Sequence, residues 1–208
     1  MKFTKASLAT YQFSEKVWVH CPKCNELGLI SAVLGKINIP APTGFTSSFN
    51  CSSCGLKKNE KSAWVGFLKA TISKPCGFCG VTIKYSSPIT KAPFKCIAVD
   101  CSNCGNPNTL VPNWETYRKD IPCDPFFGME LALQTNIKGN MLWFYNLDHL
   151  DYLRNYVKAS LRTVENRHKY ALISNLPTWV KLAKNRDLIV KKLDQLEKDF
   201  LKKQVLRS

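Results

Sequence analysis

The sequence predicts an α+β protein in which two tandem four-cysteine zinc ribbons, each built on small β hairpins, precede a C-terminal domain made of a β hairpin and α-helices. Three observations predict this class. Cysteine pairs are confined to the first half of the chain, stretches of β-branched and aromatic residues flank them, and helical periodicity begins near residue 147. The predicted domains are residues 1–70, 71–112 and 113–208.

The strongest motif is a set of four C-x-x-C pairs, which contain eight of the ten cysteines. A C-x-x-C turn presents two thiolates on one tight loop, and a hairpin that joins two such turns completes the tetrahedral sulfur cage that zinc prefers. The sequence therefore predicts two zinc ions. The predicted ligands are Cys21, Cys24, Cys51 and Cys54 for the first ion, and Cys76, Cys79, Cys101 and Cys104 for the second.

Two other chemistries use the same spacing, namely structural disulfides and a rubredoxin-like iron site. The N-terminus lacks the apolar run of a signal peptide, and no stretch reaches the roughly 18 apolar residues of a membrane helix. We therefore expect a cytoplasmic protein, in which paired cysteines bind metal more often than they form disulfides.

Three residues near the motifs need separate assignment. His20 precedes Cys21, but the four-sulfur set is complete without it, so we do not predict it as a ligand. Cys96 follows the second hairpin, and Cys101 is preferred as the ligand because it alone has the two-residue spacing to Cys104. Cys96 and Cys123 are then expected to be small buried hydrophobic residues.

Strand-forming stretches surround the cysteine pairs in the order that a ribbon requires. The sequence predicts strands at 17–19, 27–30 and 45–50 around the first cage, with a Pro/Gly-rich tip at 39–44. It predicts further strands at 64–72 and 81–85 before and within the second cage.

The C-terminal segment predicts a hairpin followed by helices. Strands are expected at 130–134 and 141–145 around a Lys138-Gly139-Asn140 turn. Asn146 is expected to cap a helix that runs to about residue 162, and a last helix is expected from about 186 to 203. On the last helix, acid–lysine pairs four residues apart predict a self-compensating, solvated face: Asp187 with Lys191, Asp194 with Lys198, and Asp199 with Lys203.

The chain is strongly basic, with a formal net charge of +15. Four thiolates and one Zn²⁺ carry a net charge of −2, so two filled cages leave the protein basic. Such a field attracts nucleic acid, an acidic protein surface or anionic lipid. Residues 1–110 contain 13 lysines, no arginine and four acids. Because arginine is the usual reader of guanine, this composition argues against base-specific recognition by the ribbons.

The leading functional prediction is a nucleic-acid-binding module with weak sequence selectivity. The competing prediction is a protein-binding adaptor, such as an immunity protein that neutralises an acidic partner. Trp64 and Trp114 are the aromatic residues considered for base stacking. The candidate nucleic-acid contacts are Lys23, Lys57, Lys58, Lys61 and Lys84 near the ribbons, with Arg162, Arg167 and Lys169 in the C-terminal segment.

Catalytic groups are sparse, and we expect no enzymatic activity. Asp148, His149 and Asp151 lie close together in the sequence, but they are expected to form a solvated helix start rather than an acid/base cluster. A closed four-sulfur cage leaves no coordination position for a reacting water.

Three phrases, FFGMELALQ, LWFYNLDHLDYLRNYV and LPTWVKLAKNRD, resemble bacterial proteins that contain transcription-factor-IIB-type zinc ribbons. The resemblance covers roughly residues 15–200 and implies two ribbons followed by an α+β segment. Some such proteins are labelled as relatives of the primosomal replication-restart helicase. The present chain lacks the phosphate-binding G-x-x-x-x-G-K-[ST] loop and is too short for a helicase motor.

Overall fold

The computed structural model describes residues 3, 5–34, 45–161 and 171–205. The predicted tip at 39–44 lies outside the described residues. The chain forms two compact units, one made of residues 1–62 and 122–208 and the other of residues 63–121. The first cysteine quartet and the C-terminal helices thus share a unit, whereas the predicted boundaries lie at residues 70 and 112. Among the described helices, none combines the length and the apolar character needed to cross a bilayer.

The first unit contains an antiparallel sheet whose strands follow the chain in the order β1-β2-β3-β4. Alternate residues of β1 face the core, and Val17 and Val19 are fully buried. Gly28 on β2 lies beneath the ring of Phe49, where a Cβ atom would overlap the ring. The strands are Lys16–His20 (β1), Leu27–Leu34 (β2), Phe45–Asn50 (β3) and Lys57–Asn59 (β4).

The other edge of β1 bonds to the second half of the chain. The Trp18 N–H donates to the Tyr145 carbonyl at 2.8 Å, and the Trp18 carbonyl accepts from the Ala132 N–H at 2.9 Å. The His20 N–H donates to the Glu130 carbonyl at 2.8 Å. β1 therefore joins the first ribbon to the C-terminal part of the same unit.

The second unit contains a three-stranded and a two-stranded antiparallel sheet. β5 lies between β6 and β9, and β7 pairs with β8. The buried cluster at the cysteine end consists of Cys76, Ile83 and Cys101. The strands are Leu68–Pro75 (β5), Thr82–Ser86 (β6), Ile97–Asp100 (β7), Pro107–Leu110 (β8) and Asn113–Thr116 (β9).

The predicted C-terminal hairpin is present, formed by β10 (Leu133–Ile137) and β11 (Asn140–Phe144), but its first strand begins three residues later than predicted. Lys138 and Gly139 form its two-residue turn with φ values of 52° and 80°. Positive φ at both positions is the conformation that matches the right-handed twist of paired strands.

In the described part of the C-terminal segment, three α-helices follow: α1 (Leu147–Lys158), α2 (Thr178–Lys181) and α3 (Arg186–Val205). The predicted cap is confirmed, since the Asn146 side chain accepts from the His149 N–H at 2.9 Å. The prediction that α1 continues to about residue 162 is wrong. The helix ends at Ala159, whose backbone is extended, and Leu161 is 54% exposed.

One arginine organises the contact between α1 and α3. The Arg154 guanidinium donates to Asp194 at 2.9 Å and also contacts Asp151 and Glu197. These carboxylates raise the pKa of Arg154, Glu197 contributing most. The predicted pairing of Asp194 with Lys198 is wrong because Asp194 faces Arg154.

The prediction of a solvated helix start holds for Asp148, which is exposed, and is wrong for His149, which is 3% exposed. The imidazole stacks on Phe13 with 4.7 Å between ring centroids, and its Nδ1 accepts from the Tyr145 N–H at 3.3 Å. Burial lowers the pKa of His149 to about 3. The side chain is therefore a neutral part of the core.

Replacing His149 by Phe tests this assignment through pH. The unfolded state takes up a proton near pH 6.5, whereas the folded state does not do so until about pH 3. Wild-type stability thus falls as pH drops below 6.5. Below this pH, the free energy of unfolding of the wild type minus that of H149F falls by about 1.4 kcal/mol per pH unit. Denaturant titrations of both proteins at pH 7, 6 and 5 measure it, and the shared acid sensitivity of the cysteines cancels in the difference. A constant difference across this range contradicts the assignment.

Candidate metal centres

The four C-x-x-C turns share one backbone conformation. In each, the N–H of the first cysteine donates to a carbonyl five residues on, and its own carbonyl accepts from the N–H four residues on, with N···O distances of 2.7–3.0 Å. The residue after the second cysteine has positive φ in every turn, and this residue is Asn25, Gly55, Gly80 or Gly105. Glycine and asparagine tolerate this conformation best, which explains their recurrence there.

The eight predicted ligands form two groups, Cys21, Cys24, Cys51 and Cys54 in the first unit and Cys76, Cys79, Cys101 and Cys104 in the second. Within each group, all sulfur atoms lie within 4.8 Å of one another. Each unit therefore brings its own four predicted ligands to one point.

The sulfur–sulfur distances match a metal-centred tetrahedron. The Cys21–Cys54 and Cys24–Cys51 distances are 3.6 and 3.5 Å. Cys76–Cys104 and Cys79–Cys101 are 3.8 and 3.6 Å apart. Four sulfurs that each lie about 2.3 Å from one ion are about 3.8 Å apart. Disulfide sulfurs are about 2.05 Å apart, and all ten cysteines are free. Both groups thus fit a metal ion rather than disulfides.

The pKa values of Cys24 and Cys51 indicate that full ionisation of the first group needs a bound cation. Burial raises the pKa of Cys24 to about 12, and the neighbouring Cys51 adds to this effect. Burial also opposes ionisation of Cys51, but hydrogen bonds from the Cys54 backbone and the Cys24 side chain lower the pKa of Cys51 to about 6. Clustered thiolates repel one another, so a divalent ion must accompany full ionisation, and its uptake releases protons.

The second group receives hydrogen bonds from its own unit. The backbone N–H groups of Cys79 and Phe78 lower the pKa of Cys76 to about 6. The buried Asn108 amide donates to the Cys76 sulfur at 3.4 Å, and its oxygen accepts from the Gly77 N–H at 2.9 Å. Through these two hydrogen bonds, Asn108 links β8 to the Cys76–Cys79 turn. Asn108 was not predicted from the sequence, because only its place on β8 brings it to the Cys76 sulfur.

His20, Cys96 and Cys123, which are not predicted ligands, differ in their surroundings. His20 belongs to neither metal-binding group, and its Nδ1 lies 3.1 Å from the Asn25 carbonyl. Cys123 is buried, as predicted. Cys96 is exposed, so its predicted burial is wrong; it precedes β7, whose alternate residues reach the surface.

The predicted nucleic-acid contacts are distributed over both units. Lys57 and Lys58 lie on β4 and line a groove of about 410 Å³ with Asn50, Asn59 and Ser62, here called the β3–β4 groove. The Lys58 ammonium also lies 6.0 Å from the centroid of the Phe127 ring. Lys61 is exposed in the turn after β4, and Lys23 is exposed between Cys21 and Cys24. Lys84 is exposed on β6. Arg162, Arg167 and Lys169 lie outside the described residues.

Trp64 and Trp114, the aromatic residues considered for base stacking, make contacts within the second unit. The Trp64 Nε1 donates to the Phe67 carbonyl at 3.1 Å, and Trp114 packs edge-on against Phe94 at 4.9 Å. Phe78, at the tip of a knuckle, is 67% exposed. The sequence analysis missed Phe78, although its place between the two cysteines of a short turn is a signal of exposure.

No protein-family model, curated protein or solved structure matches the chain. Two four-cysteine groups with metal-site geometry are the established feature of the molecule.

Replacing single cysteines tests the ligand assignment. We expect the reduced wild-type protein to contain two equivalents of zinc by elemental analysis, and Cys101→Ser to contain one because a cage with three sulfurs binds weakly. Cys96→Ser is the matched control, since Cys96 is exposed and outside both groups. It should retain both ions, and loss of one ion from this variant contradicts the choice of Cys101. A red protein with iron in place of zinc contradicts the choice of metal.

Metal removal should affect the two units unequally. The first unit has a core of metal-independent residues that includes Leu150, Leu153 and Leu193, whereas the buried cluster at the second site contains two ligands, Cys76 and Cys101. Chelation at neutral pH should abolish hydrogen-exchange protection throughout residues 68–116 and preserve it in α1 and α3. Equal loss in both units contradicts this expectation.

Proposed function

We propose that this is a non-enzymatic protein that holds two structural zinc ions and binds nucleic acid with weak sequence selectivity. Zinc is proposed over iron because a four-thiolate cage in a small β unit is the usual structural zinc site. With four sulfurs per ion the coordination sphere is closed. The ions then serve to hold the knuckles in place.

The observation that carries the nucleic-acid proposal is a pair of exposed lysines, Lys57 and Lys61, that follow the second C-x-x-C turn of the first cage. Lys57 lines the β3–β4 groove and Lys61 follows it, and both are exposed. Asn50 and Asn59 add amide groups to the same groove. Lysine ammonium and amide donors suit phosphate oxygens, and without arginine the ribbons lack the bidentate guanine contact. Affinity should therefore depend strongly on salt and weakly on base sequence.

The salt dependence of binding tests this surface. Lys57→Gln combined with Lys61→Gln should reduce the steepness of the plot of log K against log salt by about 1.4 on single-stranded DNA, because two phosphate contacts are lost. The matched control is Lys16→Gln with Lys119→Gln, which removes the same charge from exposed sites; Lys16 lies on β1, at the opposite end of the four-strand order from β4. Fluorescence anisotropy with a labelled 20-nucleotide strand between 25 and 200 mM salt measures both slopes. An equal change in the two variants rejects the β3–β4 groove. The absence of any binding by the wild-type protein at 25 mM salt rejects the nucleic-acid proposal.

A protein-binding adaptor, for example an immunity protein, is the second candidate. It is favoured by exposed apolar residues in the second unit: Phe78 is 67%, Val111 60% and Val81 42% exposed. Large exposed apolar side chains are typical of protein contacts. A partner captured from the native host by the wild-type protein and lost with Phe78→Ser and Val81→Ser, at unchanged zinc content, would support this function.

A further inference from the structure

A second groove in the first unit lies between the end of α1 and the first three turns of α3. It has a volume of about 540 Å³ and is here called the α1–α3 groove. Four cationic side chains line it, Lys158 from α1 and Arg186, Lys191 and Lys198 from α3. Two carboxylates, those of Asp187 and Asp194, lie among them.

Two lysines of this groove, Lys191 and Lys198, do not pair with the acids that precede them by four residues. Asp194, the acid four residues before Lys198, is bound to Arg154 at 2.9 Å. Within the described part of the chain, Lys191 and Lys198 have no ion pair, which overturns the predicted pairing of acids and lysines along α3. The four cations and two carboxylates of the lining leave the groove with an excess of two positive charges.

Arg186 adds a donor that lacks an acceptor. Its Nε atom is buried and makes no hydrogen bond to any of the described residues. Buried donors of charged groups are nearly always satisfied, because leaving one unpaired is costly. An anionic oxygen is the strongest acceptor for a guanidinium, and Arg186 is one of the residues that line the groove.

We propose that the α1–α3 groove binds a phosphate-bearing ligand. Several cations around one partly buried arginine donor suit a multiply charged oxyanion, and the volume lies in the range of sites for small-molecule ligands. The phosphate belongs either to a free phosphorylated molecule or to the backbone of a nucleic acid. In the second case the groove extends the binding surface of the proposed function and rests on it. In the first case it is independent of it.

Two probes, inorganic pyrophosphate and a labelled 20-nucleotide single strand, distinguish these sources. The test variant combines Lys191→Gln with Lys198→Gln. The matched control combines Lys192→Gln with Lys203→Gln, which removes the same charge from exposed positions of α3 outside the groove. Zinc content and thermal midpoint confirm that both variants fold.

Calorimetry with pyrophosphate should show binding to the wild type that is weakened at least about tenfold in the test variant and less than about twofold in the control. In ¹⁵N spectra of the wild type, the Arg186 Nε–H signal, assigned by its loss in Arg186→Lys, should shift on addition of pyrophosphate. The labelled strand should respond to the test variant in the same way if the phosphate belongs to nucleic acid.

Each result decides between the two proposals. Pyrophosphate binding that depends on Lys191 and Lys198, without binding of the strand, supports the groove and rejects the nucleic-acid function. Strand binding that the test variant leaves unchanged, without groove-dependent binding of pyrophosphate, rejects the groove and leaves the nucleic-acid function standing. Equal weakening in the test and control variants also rejects the groove, because the effect is then one of net charge.

Discussion

The need to balance charge among four adjacent sulfurs constrains both units of this protein. Sulfur atoms 3.5–3.8 Å apart are too distant to bond to one another and too close to ionise together without a cation. The hydrogen bonds of the knuckles favour ionisation of some of these sulfurs, Cys51 and Cys76 most clearly. The geometry is therefore that of a site prepared for an ion.

The two sites differ in what surrounds them. The second, with Ile83 and its own ligands as the buried cluster, lies in a unit too small to gain much from apolar burial. The first belongs to a unit whose core includes Phe144, Leu150 and Ile189. The same four-cysteine motif thus supplies most of the buried cluster at the site in one unit and belongs to a unit with a larger core in the other.

Features set by local spacing were predictable from the sequence. The C-x-x-C turns, the Lys138-Gly139 hairpin and the Asn146 cap each depend on residues within a few positions of one another. The errors involve distant partners. His149 is buried because Phe13 and Tyr145 enclose it, and Asp194 turns from Lys198 to Arg154 on another helix. Local periodicity carries no information about such contacts, and the α1–α3 groove could not be predicted without them.

The arrangement of β1 has a consequence for the newly made chain. Both edges of this strand are bonded in the finished protein, one to β2 and the other to residues 130–132 and 145. The ribosome makes β1 and its hairpin long before those later residues emerge. Until then, the strand edge that includes Trp18 is open to pairing with other chains. An ion bound early by the first cage would fix the hairpin but leave this edge uncovered, so the edge is protected only after residues 130–145 have been made.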